Sequence, residues 1–154
     1  MHKVSVKRSE KGQSLIELAV VLVFILLLLV GIVDLGRVLF YYQSMRDAVQ
    51  EAAAYASAFP LDNTYQANCQ AIINRVVDNV PDIGSVTVQY NSDACAAHSA
   101  KVIKEACTGT TVSVTAVKNG YPLITPLIGQ FIGQVINLSA TTTATIIQPM
   151  CPSP

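Results

Sequence analysis

Apolar residues run almost without a break from Leu18 to Val33: fourteen of these sixteen are Leu, Ile, Val or Phe. So continuous a run has no polar face and predicts a helix surrounded by hydrocarbon rather than a half-buried strand. The pattern then changes. At Val38, Tyr41, Tyr42, Met45, Ala48, Val49, Ala52, Ala56 and Phe59 the apolar positions recur every three or four residues. Arg46, Asp47, Gln50 and Glu51 stand between them. That spacing marks one face of an amphipathic helix. No proline interrupts it before Pro60, which forces Phe59 out of the helical region. The two segments join into one helix over about 14–58, with Gly31 and Gly36 as its weak points. A second, shorter helix is predicted from Thr64 to Asn79, with Ala67, Ala71, Ile72, Val76 and Val80 on one face and Pro81 as the stop.

Beyond Pro81 the period drops to two. Ser85–Tyr90 and Thr110–Val117 alternate as strands do, and Asn119-Gly120 is a turn signal. Asn91–Lys101 is polar and small, a loop or a short frayed helix. Tyr121–Ile136 is apolar but broken by Pro122, Pro126, Gly129 and Gly133, a loop covering the sheet or a patch resting on a partner or a membrane. A Thr/Ala-rich strand follows over 137–148. The expected fold class is α+β: a long N-terminal helix, a short second helix and a small antiparallel sheet of three or four strands.

Charge divides the chain unevenly. Residues 1–12 hold four Lys/Arg against Glu10; the remainder holds six against nine Asp/Glu, so a basic leader precedes an acidic body within a net charge of zero. Basic residues confined to the leader fit a cytoplasmic N-terminus and argue against a nucleic-acid surface. From Leu15 to Leu35 a helix would span ~31 Å, enough for a hydrocarbon core. Glu17 and Asp34 then fall near its two faces, where a charge costs least. A secretory signal peptide is the alternative, but no Ala-x-Ala site follows the run. The topology expected is single-pass, with the body outside the cytoplasm. Four cysteines, Cys69, Cys95, Cys107 and Cys151, lie in that exported part and read as two disulfides. Three pairings are open. The favoured one joins Cys95 to Cys107 across the polar loop and Cys69 to Cys151 at the C-terminus.

Catalytic chemistry finds little support. The histidines are His2 and His98, and no zinc spacing, P-loop or Gly-x-Ser-x-Gly is present, so neither an enzyme, a metal nor a cofactor is expected. Asp34 and Arg37, spaced i, i+3, could pair along the helix at the membrane edge.

The start of the chain is more telling. Lys3, Lys7, Arg8 and Lys11 lead to Gly12. Glu17 then stands alone before the apolar run, where a simple anchor gains nothing from a carboxylate. This resembles a type IV prepilin signal, cut between Gly12 and Gln13, with the glutamate at the fifth mature position. Gly12–Leu18, the apolar run, Asp34-Leu-Gly-Arg37 and the Ala-rich Asp47–Ser57 together resemble TadE-like minor pilins, or pseudopilins, of the tight-adherence (Flp pilus) system. The resemblance divides the chain into a cleaved leader (1–12), a transmembrane helix (13–35) and an extracytoplasmic pilin-like domain (36–154), whose helix continues to 58 before an α+β part over 60–154. It implies that Glu17 pairs with the Gln13 amine of a neighbouring subunit and sets assembly register.

The partners implied are a prepilin peptidase, other pilin subunits, an inner-membrane assembly platform and lipid. The function implied is to initiate or support an adhesive pilus. Gln13 stands where ordinary type IV pilins carry phenylalanine. Leu18 stands where the short Flp main pilins carry tyrosine, which disfavours the main-subunit role. Two other readings remain open: a pseudopilin of a type II secretion or DNA-uptake machine, and a membrane-anchored extracellular binding module.

Overall fold

The computed structural model describes residues 10–96, 98–107, 110–124 and 133–147. One helix, α1, runs without a break from Glu10 to Ala58, ~74 Å at the rise of an α-helix. Gly31 and Gly36 do not break it. Pro60 follows its end, as the sequence predicts. Along Leu15–Phe40 its apolar side chains stand open to the surroundings. From Met45 the same helix becomes the spine of a domain, with Met45, Ala48, Val49, Ala52, Ala53 and Ala56 fully or almost fully buried. Four of these six are alanine, and small side chains let a helix approach its neighbours closely. Ala53 joins the predicted face. Phe59 leaves it, 44% exposed and packed beside Tyr55 with ring centroids 5.3 Å apart.

Helix α2 covers Cys69–Asn79, five residues shorter at its start than the periodicity suggests. The preceding residues are committed elsewhere. The Asp62 carboxylate accepts from the Thr64 and Gln66 amides and the Thr64 hydroxyl, and Leu61 bridges Ala67. An Asx-type turn competes with helix by giving the backbone local partners. These hydrogen bonds, led by that from the Gln66 amide, hold the Asp62 carboxyl below its ordinary range.

The strands are β1 (Ser85–Tyr90), β2 (Asp93–Ala94), β3 (Thr111–Pro122) and β4 (Val135–Thr145), with helix α3 (Ala100–Cys107) between β2 and β3. They form one antiparallel sheet in the order β2-β1-β3-β4. Register places Val88 opposite Val114 and Tyr90 opposite Val112, with Ala116 opposite Ala140. These residues form the face turned to α1 and α2, and all are buried. The intervening Thr87, Gln89, Thr141 and Thr143 face out.

Asn119-Gly120 does not end β3. Lys118 pairs with Leu138 and Tyr121 with Ile136, so one extra residue is accommodated as a bulge. Gly120 takes φ +70° there, and its amide donates to Asn137 Oδ1 at 2.9 Å. The turn chemistry is absorbed as a bulge, which bends and twists a strand without stopping it. The polar segment 91–101 holds β2 and only the first two residues of α3, which continues to Cys107, beyond the stretch where the sequence allowed a short helix.

A disulfide joins Cys69, at the start of α2, to Cys95, just after β2. This overturns the Cys95–Cys107 and Cys69–Cys151 pairing. The Cys95 amide donates to the Val88 carbonyl, so pairing along β1 holds Cys95 beside the helix that packs on the sheet. Cys107 is disulfide-bonded as well, and Cys151 lies outside the described residues.

Candidate functional site: the N-terminal helix

The functional candidates lie along α1 and divide into three levels. At the N-terminal level, Gly12, Gln13 and Glu17 are all exposed. Because α1 begins at Glu10, the Gly12–Gln13 bond lies within its first turn, where amide groups have no intrahelical acceptors and fraying is easiest. A Cβ added at Gly12 would meet nothing within 4 Å. Glu17 makes no ion pair among the described residues. Its neighbours Ile16 and Leu18 are more than 60% exposed. An exposed carboxylate on an apolar helical surface offers a charge that this fold leaves for its surroundings to meet.

The middle level is the apolar stretch. Its most hydrophobic 18-residue window has a mean hydropathy of 3.2 and is 0% buried. The helix is long and apolar enough to cross a membrane.

At the upper level Asp34 and Arg37 differ in exposure. Asp34 is 5% exposed, although Val33 and Leu35 on either side are 61% and 60% exposed, while Arg37 is exposed. Asp34 belongs to a stripe with Gly31, Val38, Tyr41 and Met45 that the domain covers. Near it stand Leu123 and Ile136, from the end of the β3–β4 hairpin.

Two helical turns above Asp34, Tyr41 and Tyr121 pack with ring centroids 5.0 Å apart, tilted by 44°. The Tyr41 hydroxyl donates to the Asp82 carbonyl at 3.4 Å. Lys118 Nζ donates to the same carbonyl and to the Asp82 carboxylate, each at 2.6 Å. Burial, foremost, pushes the Tyr41 phenol up. The hydrogen bond to the Asp82 carboxylate, foremost, raises the Lys118 ammonium. Sequence reasoning missed this Tyr41–Tyr121–Lys118–Asp82 cluster, since its members lie as far as 80 positions apart. The tyrosine at position 121, opening an apolar segment, was the only available signal.

Among the described residues no group of three or more His, Cys, Asp or Glu could hold a metal ion. The arrangement is a long helix with an open apolar half and a half packed on a small sheet, the outline of a helix-anchored α+β protein. Residues 12–54, from the proposed cut to the buried alanines, match the family described as TadE-like protein. That N-terminal segment is TadE-like, consistent with a pilin of the tight-adherence system. No curated protein and no solved structure matches the chain.

Proposed function

We propose that this protein is a structural subunit, a minor pilin or pseudopilin of a tight-adherence pilus. It is cut by a prepilin peptidase after Gly12, held in the membrane by residues 13–35 with its folded domain outside the cytoplasm, and assembled through α1. The observation that carries this reading is the division of one continuous helix. Its TadE-like segment spans both the exposed apolar half and the half that anchors the sheet. A helix so divided can leave lipid and enter a filament without refolding its domain, because the domain is built on the other half.

Glu17 is the residue we assign to register. In an apolar bundle of neighbouring helices, the Gln13 α-amine freed by cleavage supplies an opposite charge. Two unit charges at ~4 Å attract by about 4 kcal/mol at an effective dielectric of 20. Desolvation offsets much of that, so the pair sets alignment more than it adds stability. The protein's work in this reading is assembly with other pilin subunits on an inner-membrane platform, not catalysis.

The test is intact mass of wild type and Gly12→Ala, each produced with the cognate prepilin peptidase. Wild type is expected to lose its first twelve residues and begin at Gln13, with the variant left whole. A wild-type protein that keeps Met1–Gly12 overturns the pilin reading in favour of an ordinary anchor. Cleavage beyond residue 30 overturns it in favour of a secretory signal.

A further inference from the structure

The stripe of α1 that the domain covers does not stop where the apolar span does. It continues past Leu35 to Asp34 and Gly31, so the folded part reaches alongside the outer turns of the span. Among the described residues, the end of the β3–β4 hairpin lines a groove with this stretch. Leu123 and Ile136 line, with Asp34, Leu35 and Val38, a groove of about 680 Å³ that continues down the helix to Phe24. From Asp34 to Phe24 is ~15 Å along the axis. Asp34 apart, every side chain that lines this groove among the described residues is apolar.

The same hairpin end presents apolar side chains outward. Ile124 is 64% and Val135 54% exposed, values like those of Ile32 and Leu35 on the helix beside them. From Tyr121 to Ile136 the sequence contains no charged residue. Above this level polarity returns at once: Tyr41 packs on Tyr121, and Lys118 is paired with Asp82. Tyrosines favour the boundary between hydrocarbon and water, and charged groups the watery side of it. Along the hairpin the order is therefore charge, tyrosine pair, bare hydrocarbon; along the helix Arg37 and Asp34 still stand between Tyr41 and the apolar run.

We propose that the end of the β3–β4 hairpin is a second membrane contact. Leu123, Ile124, Val135 and Ile136 rest among the acyl chains of the leaflet nearest the domain, beside α1, with the Tyr41–Tyr121 pair at the interface. The occupant is lipid because the exposed surface is continuous with the span of α1 and shares its composition. Two contacts, unlike a single helix, hold the domain at a fixed tilt and rotation on the membrane. The proposal rests on the reading of α1 as a membrane span.

The chain contains no tryptophan, so one introduced residue reports on its own position. Full-length Ile124→Trp is reconstituted into phosphatidylcholine vesicles with bromine on the acyl chains. Leu28→Trp, in mid-span, and Thr143→Trp, on the outward face of β4, serve as references. Acyl-chain bromine is expected to quench Trp at 124 strongly, as at 28, and to leave Trp at 143 unaffected. Quenching at 28 but not at 124, with acrylamide reaching 124 from the water, overturns the hairpin contact and leaves the span intact. Protection of 124 from both quenchers also overturns it and assigns the surface to protein. No quenching at 28 overturns the span and this proposal together. Val135→Trp repeats the measurement from the other strand, so one misfolded variant does not decide the outcome.

Discussion

Tyr90 is the largest fully buried side chain of the domain, and its hydroxyl is the one part of it that water would otherwise claim. That hydroxyl donates to the Pro60 carbonyl at 3.1 Å, joining the sheet to the chain just beyond α1. Removing it with Tyr90→Phe keeps the ring and its packing. A buried acceptor stripped of its donor costs ~1–3 kcal/mol. Here the Pro60 carbonyl also accepts from the Asn68 amide at 3.1 Å, so it is not orphaned. The cost is set by the net worth of one hydrogen bond, about 1 kcal/mol at neutral pH.

The alkaline limb gives a sharper test. Burial pushes the Tyr90 phenol well above its ordinary 10. Between the unfolded and folded values the native state holds a proton that the unfolded chain has lost. Tyr90 thus contributes stability in full below pH 10 that is lost as pH rises beyond it. The slope approaches ~1.4 kcal/mol per pH unit, so about 1.4 kcal/mol is gone by pH 11. Tyr90→Phe has no such loss. Urea unfolding in detergent micelles, followed by circular dichroism, is therefore expected to show wild type the more stable at pH 7 and the order reversed at about pH 11. A cost above ~3 kcal/mol at pH 7, or parallel alkaline limbs, would refute the placement of this phenol.

Two further perturbations test the architecture. Non-reducing peptide mapping is expected to yield a Cys69–Cys95 cross-linked peptide, and replacing both residues with serine to cost roughly 3.5 kcal/mol by the chain-entropy relation for a separation of 26 residues; a Cys95–Cys107 peptide would contradict the fold around α2. Gly84→Ala is expected to cost about 1–3 kcal/mol in the same unfolding assay, because its Cβ would lie 2.9 Å from the Val117 carbonyl oxygen, and an unchanged midpoint would show that the strands are not so close there.

One continuous helix here carries two surfaces of different composition. Its lower half is apolar all round. Its upper half is apolar on one stripe and rich in alanine where strands and α2 close upon it. The ion pairs at the domain surface add little to this. Arg75 and Glu51 stand 3.0 Å apart but 42% and 52% exposed, and a pair so open to water contributes at most ~1 kcal/mol. The fold is held instead by the buried Met45–Ala56 stripe against Val112, Val114 and Ala116.

The sequence by itself determined whatever depends on local periodicity. The unbroken apolar run, the three-and-four spacing that follows and Pro60 specified α1 as one helix ending at Ala58, while its start lies at Glu10, four residues before the predicted one. Strict alternation specified β1 over Ser85–Tyr90. The Gly12–Glu17 pattern needed no fold to be visible, since it is carried by consecutive residues that stay exposed on α1. Tertiary structure decided wherever two local options were close in energy or where partners lay far apart. Asn119-Gly120 serves a turn and a bulge equally well, and pairing with Asn137 chose the bulge. Residues 64–68 fit a helical face, and the Asp62 turn took them instead. Cysteine pairing depends on which segments fold together, and β1 pairing brought Cys95 to Cys69. Asp34 and Arg37 lie three positions apart on α1, yet one is buried and the other exposed. That choice lies in an approach of chain segments some ninety positions apart, which no local pattern encodes.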